Sequence, residues 1–289
     1  MSTAAPEVTA RIARLFVYPV KSCAGVELQE ALLTETGLDL DRAWMVVDAR
    51  GEFVTQREQP RLALVKPQLK VHEVVLRAPG MLALHLAVDT VEAPLQVQVW
   101  DDTVPAFDMG AVASQWFSDF LGQPGLRLVR FDPEYERRSS RQWTGDEEAL
   151  NQFSDGFPLL VASTASLDQL NGKLQAAGHA AVGIERFRPN IVLAGIEPHD
   201  EDRLAQLQVA TAEGPVRLRP VKPCARCPIP NIDPATAESD PAVTDTLQAY
   251  RRNDLVGGAV TFGMNAIVLE GFDRMLRVGQ AVTGDWKFG

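Results

Sequence analysis

Cysteine and histidine are scarce in this chain of 289 residues, with three of the first and four of the second. Three thiols cannot form a full disulfide framework, and they fall one short of the four thiolates of a plant-type iron–sulfur centre. Positive charge is also in short supply: 28 Lys and Arg stand against 38 Asp and Glu, a formal net charge of −10. That balance excludes a general nucleic-acid binder, whose affinity rests on Lys and Arg neutralising phosphates. An anionic ligand must therefore meet a local basic cluster. No segment approaches the ~20 apolar residues of a membrane span, and the opening MSTAAPEVTARIARL lacks a secretory apolar stretch. The expectation is a protein without membrane or nucleic-acid partners, in a reducing cytoplasm where thiols stay free. Also missing are internal repeats and a G-x-G-x-x-G opening a βαβ unit for a nicotinamide or flavin.

What is present belongs to a packed, globular chain, with 46% hydrophobic and 23% charged residues. The length suits one large domain or two modest ones. Short apolar runs bounded by Pro, Gly or Asp recur at Ile12 to Tyr18, Val26 to Thr34, Leu62 to Val65, Val71 to Leu76, Leu82 to Ala87, Leu95 to Trp100 and Leu126 to Phe131. Two more runs flank Asp48-Ala49-Arg50-Gly51 and read as a hairpin, and others lie at Asn190 to Ala194 and Ala259 to Leu269. Such spacing predicts a mainly β, closed or sandwiched architecture. Helical periodicity marks only Ala111 to Leu121, stopped by Gly122, and the segment from Ser163, an N-cap, to Gly178. The polar stretch Pro133 to Asn151 is expected to be a long exposed loop, a boundary or an active-site flap.

The segment Val221-Lys222-Pro223-Cys224-Ala225-Arg226-Cys227-Pro228 carries the most chemistry. Zinc would need about two more Cys or His ligands, and only Cys23 and the scattered His72, His85, His179 and His199 remain. A thioredoxin-like pair would open a helix, but Pro228 and Pro230 oppose one. Two readings stay open on spacing alone: free thiols packed as small hydrophobes, or one thiolate ligating a soft metal or metal cofactor beside Arg226. Lys21, Ser22, Arg42, Arg186, Arg188 and Asn190 are candidate anion or heterocycle contacts, each individually compatible with a solvated surface group.

Taken together, YPVKSCAGV (18–26), LDRAWMVVD (40–48), FVTQRE (53–58), RFRPNIVLAG (186–195) and KPCARCPIPNIDPATA (222–237) resemble the MOSC proteins. Those are relatives of the C-terminal domain of molybdenum cofactor sulfurase. The resemblance is to the two-part type that includes the mitochondrial amidoxime-reducing component and its bacterial counterparts, and it runs from about residue 11 to 282. It implies an α+β fold, mainly β with some helices: an N-terminal β-barrel-like domain over residues 8–130 and a MOSC β-barrel domain over 131–289, with a cofactor in the cleft between them. It further implies molybdenum bound as Mo-molybdopterin, with Cys227 as the metal ligand and catalytic thiolate. Lys21, Ser22, Arg42, Arg188, Asn190, Arg226 and, more weakly matched, Asn265 would hold the cofactor. The implied activity is two-electron reduction of N-hydroxylated small molecules, with release of water and with electrons from a separate ferredoxin- or flavoprotein-like donor. A sulfur carrier using a Cys227 persulfide, or a noncatalytic cofactor-binding module, are the competing readings. Asp233 is either a proton donor or a carboxylate that shapes its own loop.

Overall fold

The run Val8–Val17 forms strand β1 and ends just before Pro19, which lacks the N–H a ladder needs. A computed structural model describes residues 7–89 and 91–287. The chain continues through β2 (Val26–Leu28), β3 (Glu30–Thr34), β4 (Gly37–Leu38), β5 (Trp44–Val47), β6 (Lys66–Leu69), β7 (Glu73–Arg77), β8 (Leu84–Ala87), β9 (Pro94–Val99) and β10 (Asp102–Asp108). Helix α1 (Ala111–Leu121) and β11 (Arg127–Phe131) complete the first half. The second half holds α2 (Arg141–Thr144), β12 (Leu159–Ser163), α3 (Thr164–Ala176), β13 (Ile191–Ala194), β14 (Leu204–Thr211) and β15 (Gly214–Ala225). It closes with α4 (Ala242–Gln248), β16 (Arg252–Asn253), β17 (Ala259–Glu270), β18 (Arg274–Arg277) and β19 (Ala281–Trp286). Among the described residues no helix is long and apolar enough to cross a membrane.

Seven strands close a barrel in the order β12-β13-β1-β19-β14-β15-β17, with β17 returning to β12. Only β12 and β13 run parallel. Inward-facing Ile12, Leu15, Leu159, Val161, Ile191, Leu193, Leu207, Leu218 and Val268 fill its interior. The fold is thus the expected mainly β, α+β architecture. One stave, however, comes from the chain's beginning: β1 pairs with both β13 and β19. Likewise β3 pairs with β18, and Leu33 and Leu38 join the barrel core. A division at residue 130 is therefore not a division between hydrophobic cores. The second core lies over residues 20–128, where β5, β11, the β6-β7-β8 sheet and α1 pack around Trp44, Leu62, Leu76, Phe117 and Leu128, while Val97, Val99 and Val104 of β9 and β10 pack with Met45, Val129 and Phe153 in a separate cluster. Among the described residues the two sheets, β5-β11-β10-β9 and β6-β7-β8, do not join into a single hydrogen-bonded ring.

Both helices fall where their signals place them. Ser163 Oγ accepts from the Ser166 N–H at the start of α3, and Gly122 takes the left-handed conformation that ends α1. Three expectations are corrected. Leu62 to Val65 is not a strand but part of a 3-10 turn over Pro60–Leu64, whose proline presets the first φ. Val26 to Thr34 breaks in two at Gln29, because β2 pairs with β1 while β3 turns to β18. The 133–151 segment is not a free loop. Buried Arg137 donates to Asn151 Oδ1 at 2.8 Å and to the carbonyls of Gln152 and Ser154 at 2.7 and 2.6 Å, and pairs with Asp102. Its base is thereby pinned beside the linker that enters β12.

Candidate functional site: a basic cleft between the two cores

Residues 19–24 leave β1 and cross to the second core, held there by backbone bonds from Lys21 to Trp44 (2.7 Å) and from Ala24 to Val65 (2.9 Å). A backbone bond from the Arg42 N–H to the Tyr18 carbonyl (2.9 Å) brings the Asp41-Arg42 corner alongside. From the barrel side, a 3-10 turn over Ile184–Phe187 delivers Arg188, and β15 delivers Cys224 to its edge. Between them lies a cleft of about 330 Å³. All eight sequence-nominated residues line it: Lys21, Ser22, Arg42, Arg188, Asn190, Arg226, Cys227 and Asn265. Thr55, Arg57, Trp100, Ser154, Asp155 and Phe157 line it as well, and sequence reasoning missed them as site residues. Thr55 and Arg57 sit inside the FVTQRE motif; the others had no local signal and are recruited by tertiary contact.

Four lining residues, Ser22, Arg42, Trp100 and Arg188, have φ of 67°, 53°, 55° and 58°. Left-handed backbone costs non-glycine residues free energy and clusters at functional sites. Here it aims side chains that regular strands would send elsewhere. The Arg42 and Arg188 guanidinium carbons stand 4.4 and 4.2 Å from the ring centroid of fully buried Tyr18. Arg42 is further fixed by Asp41 at 2.5 Å, Asn190 Oδ1 at 3.2 Å and the Arg188 carbonyl at 3.1 Å. Arg188 donates Nη1 to the Cys23 carbonyl at 2.5 Å, while its buried Nη2 has no protein partner. Burial and the adjacent Arg42 charge bring the Arg188 pKa down to about 10. Lys21, buried, donates Nζ to the Phe153 carbonyl and to Asp155. Burial lowers its pKa against the pull of that carboxylate.

Asn190 is mostly engaged within the fold. Its Oδ1 accepts from Leu160 N and Arg42, and its Nδ2 donates to the Phe16 carbonyl, leaving one amide N–H uncommitted. Asn265 donates to the Lys222 carbonyl at 3.3 Å. Arg226 donates Nη1 to Cys224 Sγ at 2.9 Å and Nη2 to the Phe187 carbonyl, and its buried Nε is unpartnered. The guanidinium thus sits on the first thiol of the pair rather than the second. Cys227 stays half-buried at the turn before the 3-10 segment Ile229–Asn231. Cys23 is wholly buried, and burial pushes its thiol up to about 12, so it packs as a small hydrophobe. Arg186 points away from the cleft to the Asn231 carbonyl and Asp233, whose other oxygen caps Ala235 N. Asp233 is therefore the carboxylate that shapes its own loop.

Five cationic side chains but a single acidic one, Asp155, line this cleft of an acidic protein. Two buried guanidinium nitrogens, Arg188 Nη2 and Arg226 Nε, have no partner among the described residues, and burying such groups unpaired is costly. Among the described residues, no group of three or more His, Cys, Asp or Glu is placed to hold a metal. A metal here would need ligands of its own beyond what Cys224 and Cys227 offer. The arrangement defines a class: a mainly β protein with a basic, thiol-bearing cleft suited to an anionic, metal-carrying cofactor.

Comparison with known proteins gives that class a family. Residues 9–124 match the MOSC N-terminal beta barrel domain and residues 149–283 the MOSC domain, and the chain belongs to the MOSC family. It is 36% identical to mitochondrial amidoxime-reducing component 1 of Mus musculus over 252 residues, covering 84% of this chain and 72% of that one. It is 34% identical to mitochondrial amidoxime reducing component 2 of Homo sapiens over 252 residues, covering 84% and 73%. Molybdenum cofactor sulfurase of Bos taurus is 29% identical over 265 residues, 86% of this chain but 29% of that protein. The first two relatives are named for amidoxime reduction and the third for the molybdenum cofactor.

Proposed function

We propose that this protein is a cytoplasmic, molybdenum-cofactor-dependent reductase of N-hydroxylated small molecules, supplied with electrons by a separate ferredoxin- or flavoprotein-like donor. The observation that carries the reading is the convergence of Cys227 with Lys21, Ser22, Arg42, Arg188 and Arg226 on one cleft, where guanidinium nitrogens of Arg188 and Arg226 lack protein partners. A molybdenum cofactor, when bound, supplies the two-electron chemistry that an N–O bond requires. Cys227 is the protein's thiolate for the metal, a role suited to soft sulfur. Lys21, Ser22, Arg42 and Arg188 would hold the cofactor's phosphate and pterin. Arg guanidinium groups do this with charge-assisted, often bidentate bonds that outweigh neutral ones. Asn190 orients Arg42 and keeps one N–H for the heterocycle. Reduction of each N–OH consumes two electrons and two protons and releases water. Within the cleft, Lys21 Nζ holds a proton whose release burial favours, and Asp155 pairs with it at 2.5 Å.

The test is metal and pterin analysis of protein made in a cofactor-competent host. Equimolar molybdenum and pterin are expected, with reduction of an amidoxime by reduced viologen. Cys227→Ala should keep its fold and lose more than about a hundredfold in turnover, as removal of a direct metal ligand demands at least what loss of an outer-shell partner does. Protein without molybdenum but carrying a persulfide on Cys227 would overturn the reading in favour of sulfur transfer. Cofactor-loaded protein that turns over no hydroxylated substrate would make it a binding module.

A further inference from the structure

The hairpin joining β9 to β10 turns in two residues, Trp100 and Asp101, since Val99 pairs with Asp102. The first residue of such a tight turn takes positive φ and is ordinarily Gly or Asn. Here it is Trp100, at φ 55° and 43% exposed. A bulky aromatic in this position is strained, and observed strain of this kind points to use. Its indole is also fixed from three directions. The Arg57 guanidinium lies 4.6 Å from the ring, Phe53 meets it at a 5.1 Å centroid distance, and Nε1 donates to Asp155 at 3.1 Å. The same Asp155 carboxylate binds Lys21 Nζ at 2.5 Å, so the indole stands one carboxylate away from the basic cluster. Trp100 and Arg57 both line the cleft that holds Cys227.

A held indole with open surface, stacked with a guanidinium in the lining of the cleft, is a platform for a flat π-system. We infer that Trp100, braced by Arg57, is the specificity wall that selects planar aromatic N-hydroxylated substrates over aliphatic ones. This rests on the reductase reading above. Stacking gains affinity from the ring alone and is indifferent to the N–OH group. The wall therefore discriminates between substrates that present the same reacting atoms. Rigid bracing keeps the ordering cost of each encounter small.

The test compares benzamidoxime with acetamidoxime, which share the reacting group and differ by ring against methyl, in cofactor-loaded wild type, Trp100→Ala and Trp100→Phe. The ratio of kcat/KM for the aromatic over the aliphatic substrate should fall about tenfold in Trp100→Ala and recover most of that in Trp100→Phe. Binding of the non-reducible analogue benzamide, followed by ligand-observed NMR titration, should weaken by a similar factor in the alanine variant alone. A ratio and a benzamide affinity both within about twofold of wild type in Trp100→Ala would overturn the inference. If wild type reduces neither amidoxime, the reductase reading fails, and the benzamide titration by itself then decides for or against the aromatic wall.

Discussion

Tyr18 organises the cleft without lining it. Its fully buried ring lies against the Arg42 and Arg188 guanidinium groups, and the approach is so close that a Cβ on Gly25 would stand 2.5 Å from the ring. Two like charges held on one aromatic are stable together because each also has carbonyl or carboxylate acceptors. A second buried group, away from the cleft, carries a pH-dependent consequence. Glu201 is fully buried, accepts from Ser163 and Ser166 hydroxyls at 2.9 and 2.7 Å, and has Asp202 beside it. Burial raises its pKa to about 7 from the usual 4.5. The folded state thus holds the proton that the unfolded state releases, and its contribution to stability is present below pH 4.5 and lost as pH rises toward 7. The shift corresponds to about 3 kcal/mol. In urea titrations at pH 5 and 7.5, Glu201→Gln should gain stability relative to wild type at the higher pH by about that amount. A pH-independent difference between the two proteins would show that Glu201 is ionised in the fold.

Elements were legible where their signals are local. The Ser163 cap, the Leu170 and Leu174 spacing and the Gly122 stop are all contained within the helices they define. The barrel strands were harder. In β15 three prolines, Pro215, Pro220 and Pro223, read as strand breakers, yet the strand runs twelve residues because its register against β17 shifts between Pro220 and Lys222 and again between Pro223 and Ala225. Those bulges leave Cys224 and Ala225 at the end of the ladder and the second cysteine beyond it. Strand β17 has its own irregularity at Gly263, with φ 75°, where a Cβ would sit 2.7 Å from the Val161 carbonyl. Gly263→Ala should therefore lower stability by about 1–3 kcal/mol, read as a reduced urea midpoint. An unchanged midpoint would mean that the β12–β17 seam closing the barrel can part without cost.

At the scale of the molecule, the first strand of the chain is a stave of the last domain. β1 separates β13 from β19, and Val8, Ile12, Leu15 and Val17 fill the barrel from it. A fragment spanning 131–289 would lack that stave and expose two unpaired strand edges. It should show no cooperative thermal transition by circular dichroism, and adding residues 8–38 should restore one. A cooperative transition in the bare fragment would mean that the barrel closes without β1.

The sequence by itself determined the mainly β class and both principal helices, because strand alternation and caps are written in neighbouring positions; the eight residues named for the cleft came from the family resemblance, and the fold brings them to one cleft. Only the tertiary structure decided that Val8–Val17 belongs to the barrel, that Arg226 sits on Cys224, that Asp233 faces Arg186 and that Trp100 and Asp155 meet in the lining of the cleft. Each of these is a contact between segments distant in the chain. Pairing across such distances is chosen by which closure buries the most apolar surface with its polar groups satisfied, a property of the whole chain that no single segment encodes.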